Sequence, residues 1–148
     1  MRQRKIRLGG FTLIEIMAVL VILGILATYV GVKIVGHIGG ARKQQASLQI
    51  NTLATALKMY KLDNSVYPST EQSLKALVEA PTVGKLPKRW REGGYLEGKV
   101  PLDPWDNEYI YLSPGSHGDF DISSLGADGQ EGGEGEDADI TNWESEEK

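Results

Sequence analysis

The chain has 148 residues, 41% of them apolar and 24% charged, about one small domain's worth of sequence and too little for a multidomain enzyme. It contains no cysteine, which excludes disulfides, thiolate metal sites and thiol nucleophiles, and His37 and His117 are its only histidines. The net charge of −4 hides a gradient: residues 1–10 carry +4, residues 11–115 eleven basic against nine acidic side chains, and residues 116–148 one basic against eleven acidic. Concentration of the net positive charge in a ten-residue leader rather than on the folded body argues against a nucleic-acid-binding domain.

Residues 11–30, FTLIEIMAVLVILGILATYV, are apolar apart from Glu15, Thr12, Thr28 and the Tyr29 hydroxyl. Twenty helical residues cover about 30 Å, the thickness of a bilayer core, so this run is expected to span a membrane. Arg2, Arg4, Lys5 and Arg7 before it place the N-terminus in the cytoplasm and the rest outside. The run is longer than the hydrophobic region of a secretory signal peptide and continues into helical sequence. A plain anchor leaves Glu15 unexplained, because a carboxylate inside an apolar span costs about 2.5–3.5 kcal/mol and asks for a partner.

The order Gly9-Gly10-Phe11-Thr12-Leu13-Ile14-Glu15 resembles the class III leader of type IV pilins and pseudopilins. That resemblance implies cleavage by a prepilin peptidase between Gly10 and Phe11, N-methylation of Phe11, and an assembly role for Glu15. The cut removes the basic leader and creates an amine at Phe11; pairing that cation with Glu15 of a neighbouring subunit would relieve both desolvation penalties.

Beyond Val30, Ala46, Ile50, Leu53, Leu57 and Tyr60 recur at spacings of 4, 3, 4 and 3, with Gln45, Gln49, Thr52 and Lys58 between them. One helix from about Thr12 to about Leu62 is expected: residues 11–30 in lipid or a filament core, residues 31–62 packed by one face on a head. Gly31, Gly36, Gly39 and Gly40 weaken the juncture. Asp63-Asn64-Ser65 ends the helix, and Ser69 with Gln72 has the capping-box pattern for a short second helix offering Leu74, Leu77 and Val78 and stopped by Pro81. Residues 82–93 read as a solvated basic loop with Trp90 packed on the head. Short strands are expected at Tyr95-Leu96, Val100 to Leu102, Tyr109 to Leu112 and Phe120 to Ile122, separated by turn residues. The fold class is α+β, a long N-terminal helix against a small antiparallel sheet.

Lys61-Leu62-Asp63-Asn64 followed by Tyr67-Pro68, then Asp103-Pro104-Trp105, Ser113-Pro114-Gly115, the run from Ser124 to Gly129, and Asp139-Ile140 to Trp143 resemble, in that order, the major pseudopilins of type II secretion systems. The resemblance spans Gly9 to Trp143. It implies a type IV pilin-like fold and a head of residues 63–143. It also implies a homopolymer, with minor pseudopilins, the prepilin peptidase, an inner-membrane assembly platform and the lipid bilayer as partners, and no nucleic acid.

Residues 125–139, LGADGQEGGEGEDAD, hold five glycines and six acids. Carboxylates and glycine-enabled carbonyls are the ligand set of Ca²⁺, although the EF-hand template fails at Gln130 and composition alone favours a disordered acidic tail. Ile140 and Trp143 suggest that the far end docks on the fold. The family resemblance implies calcium held by Asp128 and Asp139 with the Leu125 and Gln130 carbonyls, the completing acid being Glu134, Glu136 or Asp137, with Asp137 first. Residues 144–148 read as an acidic tail.

No catalytic constellation is visible, and a non-enzymatic structural subunit is expected: an inner-membrane protein, periplasmic by its head, that polymerises into a pseudopilus driving export of folded proteins. A type IV pilin of a surface fibre and a non-polymerising, membrane-anchored calcium-dependent binding module are the alternatives.

Overall fold

The computed structural model describes residues 11–144, with the side chains of residues 27–38 excepted. Gly10, the rest of the leader and residues 145–148 lie outside the described residues. Helix α1 runs Leu13–Asn64. By contacts the chain divides into two units, Met1–Ile38 and Gly39–Lys148, each taking part of that helix.

In the first unit α1 opens with a capping box. The Thr12 hydroxyl accepts the Glu15 N–H at 3.3 Å, and Glu15 Oε2 accepts the Thr12 N–H and O–H, each at 2.8 Å. Such a cap satisfies two of the donors that the first turn of a helix leaves free. Residues 11–26 are exposed on every side of the helix, with apolar side chains from Phe11 (85%) to Leu26 (52%). A helix that is hydrophobic all round has no water-facing side and is suited to lipid or to a packed helical core. Among the described residues, no helix is long and apolar enough to cross a membrane, the described side chains of the apolar run ending at Leu26.

In the second unit the anticipated stripe is the core face of α1: Ala46, Ile50, Leu53, Leu57 and Tyr60 are buried, joined by Ala56. Two residues past the expected end, Asn64 finishes the helix. Its Nδ2 donates to the Tyr60 carbonyl at 3.1 Å and the Tyr95 hydroxyl at 3.0 Å, its Oδ1 accepts the Arg89 N–H at 3.0 Å, and Ser65 then turns away at φ 64°. These bonds cap the helix and tie it to the basic loop at once.

The sheet is antiparallel with order β1-β2-β3: β1 Ile110–Leu112, β2 Asp121–Ser124 and β3 Ile140–Thr141. Tyr111 pairs with Ile122, and Ser124 with Ile140. Tyr111 and Ile122 are buried, while Ile110 and Leu112 point outward. Tyr111 donates to the Pro68 carbonyl at 2.8 Å and Tyr109 to Gln49 Oε1 at 2.6 Å, so both hydroxyls are satisfied. Burial pushes the Tyr111 phenol up to about 12 and Tyr109 higher still.

Three expectations are corrected. The capping box at Ser69 and Gln72 forms, with bonds of 3.0 and 3.3 Å, but leads to a 3₁₀ helix, Leu74–Leu77, because Ser73 sits at φ 53° and resets the chain. Tyr95-Leu96 and Val100 to Leu102 are not strands. The Tyr95 and Leu96 N–H groups both go to the Leu77 carbonyl, and Gly93, Gly94 and Gly98 hold φ of 81° to 85°, so the apolar residues reach the core from irregular chain. At Gly94 a Cβ would lie 2.7 Å from the Leu77 carbonyl oxygen, which makes glycine obligatory at that crossing. The third strand, β3, comes from the far side of the acidic loop. Trp90 packs as expected, half-buried against the core with its indole N–H on the Ala76 carbonyl at 3.0 Å.

Candidate functional site

Two places concentrate functional chemistry, one in each unit. At the start of α1, Phe11 is exposed, and the Glu15 carboxylate is drawn back over the helix N-terminus by Thr12. Glu15 therefore has a local partner that the reading of a lone intramembrane acid had missed. The signal was present as a Thr-x-x-Glu pattern ahead of an apolar run. A carboxylate at this end of the helix also meets the positive end of the helix dipole.

The acidic loop is folded. All five of its glycines take positive φ, from 65° at Gly129 and Gly135 to 95° at Gly132, a region that costs other residues strain. The loop is closed by Ala127 N–H to the Glu136 carbonyl at 3.0 Å and by a 3₁₀ turn at Gly135–Asp137, in which the Asp137 N–H meets the Glu134 carbonyl at 3.2 Å. The Asp137 main chain is packed between Gly126 and Gly133, where a Cβ would approach its carbonyl oxygen to 2.8 and 2.6 Å.

Of the expected calcium ligands, Asp128 is exposed and accepts the Gln130 N–H at 3.1 Å, Gln130 and Asp137 are exposed, and Leu125 is half-buried. Asp139 accepts the Gly132 N–H through Oδ2 at 3.0 Å, while its Oδ1 is buried with no hydrogen-bond partner. Among the described residues, no three Asp, Glu, His or Cys side chains gather in a group that could hold a metal, so Asp128, Asp137 and Asp139 do not converge. The orphaned oxygen of Asp139 and an all-oxygen donor set still fit a hard cation held by few carboxylates and several carbonyls.

The far end of the loop is fastened through Trp143, as its sequence position suggests, together with Asn142, His117 and Asp121, which sequence reasoning did not single out. Asn142 bridges to β2, accepting the Ile122 N–H at 2.6 Å and donating to the Ile122 and Phe120 carbonyls. Trp143 stacks face to face on His117 at 4.1 Å, and His117 Nδ1 lies 3.1 Å from the buried carboxylate of Asp121. At the near end, Asp103 accepts the Ser124 hydroxyl at 2.6 Å, and Ser124 in turn accepts the Gly126 N–H at 3.4 Å.

An exposed apolar helix start behind a Gly-Gly-Phe sequence, with the helix continuing into a core shared with a three-stranded antiparallel sheet, defines a type IV pilin-like subunit. Residues 7–30 match the prokaryotic N-terminal methylation motif, and residues 33–143 match the family described as type II secretion system (T2SS), protein G. The chain is 57% identical over 134 residues to the type II secretion system core protein G of Vibrio cholerae, covering 90% of both chains. It is 55% identical over 137 residues to that of Pseudomonas aeruginosa, covering 93% of this chain and 96% of the relative. The crystal structure of the major pseudopilin from the type 2 secretion system of enterohaemorrhagic Escherichia coli superposes with a TM-score of 0.66 at 42% identity, over 74% of this chain and 93% of that one. The chain belongs to the type II secretion system protein G family, whose members are structural subunits and not enzymes.

Proposed function

We propose that the chain polymerises with itself into the periplasmic pseudopilus of a type II secretion system and that this filament drives folded proteins across the outer membrane. The observation that carries the reading is the apolar start of α1, exposed on all sides and headed by the Glu15 cap, in a chain of the protein G family. Such a surface is stable only in lipid or against other copies of itself.

Before assembly, residues 11–30 anchor the chain in the inner membrane with the head in the periplasm. A prepilin peptidase cuts between Gly10 and Phe11 and Phe11 is N-methylated. The new amine then pairs with Glu15 of a neighbouring copy. Holding Glu15 at the helix N-terminus through Thr12 keeps its carboxylate near the end of the apolar rod, where an incoming amine meets it. Minor pseudopilins and an inner-membrane assembly platform are the partners this mode of assembly requires.

The acidic loop would hold calcium through Asp139 and Asp128 with the Leu125 and Gln130 carbonyls and Asp137 as the completing acid, the loop closing to bring together carboxylates that stand apart without the ion. The orphaned Asp139 oxygen supports this. The ion supplies positive charge that offsets repulsion among the loop's six acids. It takes the place of the staple that a chain without cysteine lacks.

Processing and assembly are tested together. Mass spectrometry of filaments should find a methylated Phe11 terminus, and Glu15→Ala should be processed and membrane-inserted but fail to assemble. Filaments of normal length from Glu15→Ala, or filaments retaining Met1, would overturn the reading.

A further inference from the structure

Gly39 and Gly40 stand side by side in α1, where alanine is the better helix former. Gly40 has open space where a side chain would be, but Gly39 is buried beneath the side chain of Glu136. A Cβ at Gly39 would lie 2.5 Å from Glu136 Oε1 and 2.6 Å from its Cδ. No positive φ demands glycine here, and a Cβ would meet only the flexible side chain of Glu136, which would have to swing aside. Glu136 belongs to the 3₁₀ turn of the acidic loop and closes that loop with its own carbonyl on the Ala127 N–H. Among the loop's six acids, only Glu136 and Asp139 are half-buried, the others being exposed.

We infer that Glu136 seats the acidic loop on α1 at Gly39, as a positioning residue and not as a calcium ligand, so that ion capture by the loop and order at the foot of the helix are coupled. The coupling rests on the calcium reading above; the seat does not. Coupling of this kind is reciprocal: if the ion firms the contact, the contact raises affinity for the ion by the same factor. Residues 39–46 form the first part of α1 in this unit, so the loop would report its occupancy to the stretch of helix adjoining the apolar segment.

The experiment uses full-length protein in detergent micelles, calcium chloride as the probe in calorimetric titration, and hydrogen exchange of residues 39–46 and 125–139 with and without chelator. Gly39→Ala favours the helix itself, so loosening cannot be blamed on poorer helix propensity. It should displace Glu136, speed exchange in both segments even in chelator, and weaken calcium binding about fivefold or more without altering any ligand. Glu136→Gln keeps the packing shape and should bind calcium within about twofold of wild type, whereas a ligand carboxylate turned to an amide would lose far more. Loss of binding in Glu136→Gln as complete as in Asp139→Ala would make Glu136 a ligand and overturn the assignment. Unchanged exchange in Gly39→Ala would overturn the seat. A wild-type protein that takes up no calcium would refute the calcium reading and the coupling, leaving the seat to be judged by exchange in chelator alone.

Discussion

Replacing Asp103 by alanine removes the anchor that joins the chain before β1 to the entrance of the acidic loop. The side chain is 3% exposed; Oδ1 accepts the Trp105 N–H at 3.0 Å and the Asn107 N–H at 2.8 Å, and Oδ2 accepts the Ser124 hydroxyl at 2.6 Å. Ser124 is fully buried, so its O–H donor would be left without an acceptor, at a cost of about 1–3 kcal/mol, while its oxygen keeps the Gly126 N–H. The two loop N–H groups can recover water in part, at about 0.5–1.5 kcal/mol each. Relief from burying a charge offsets some of this, leaving about 2–4 kcal/mol of destabilisation. For a head of this size that lowers the melting temperature by at least about 8 °C. Asp103→Asn, which keeps an acceptor for the two N–H groups, should lose roughly half as much. Glu108→Ala, on the exposed part of the same segment, should stay within about 0.5 kcal/mol of wild type. The assay is thermal unfolding of the full chain in detergent, followed by near-ultraviolet circular dichroism. A loss below about 1 kcal/mol for Asp103→Ala would refute the reasoning, because the buried hydroxyl could not then depend on that carboxylate.

Leu57→Ala, at a fully buried position under the sheet, should cost about 2–5 kcal/mol in the same assay, while Leu62→Ala, 83% exposed, should be close to neutral. Alkaline pH should unfold the head. Burial raises the phenols of Tyr60, Tyr95, Tyr109 and Tyr111, so the unfolded chain ionises first, near the ordinary value of about 10. Their contribution to stability is complete below that pH and falls as pH climbs toward the folded-state value of about 12 for Tyr111. Tyrosinate absorbance should therefore rise together with loss of near-ultraviolet dichroism, and four tyrosines ionising near pH 10 in a folded head would contradict this.

The helix was legible because its register repeats every turn: five stripe positions from Ala46 to Tyr60 specify one buried face without reference to anything distant. The leader and Glu15 were legible as motif, although the Thr12 cap was passed over in favour of a distant partner. Strands at Tyr95 and Val100 were misread because alternation of apolar residues marks inward-facing positions in irregular loops as well as in sheets. Positive-φ glycines there bring Tyr95 inward without a ladder. With only two residues, β3 carries no periodicity, and its place follows from pairing with Ser123 and Ser124. The acidic loop's composition announced oxygen ligands, but composition cannot say which acids converge. Glu136 turns to Gly39, and Asp139 turns inward with an unpaired oxygen; both depend on contacts between segments far apart in the chain.

Secretion is the measurement closest to the central claim. In the source bacterium, deleting the gene for this chain should leave the proteins normally released to the medium folded and trapped in the periplasm. Plasmid-borne wild type should restore export, and Glu15→Ala, though inserted in the membrane, should not. Export undiminished by the deletion, or restored in full by Glu15→Ala, would contradict a role as the polymerising subunit.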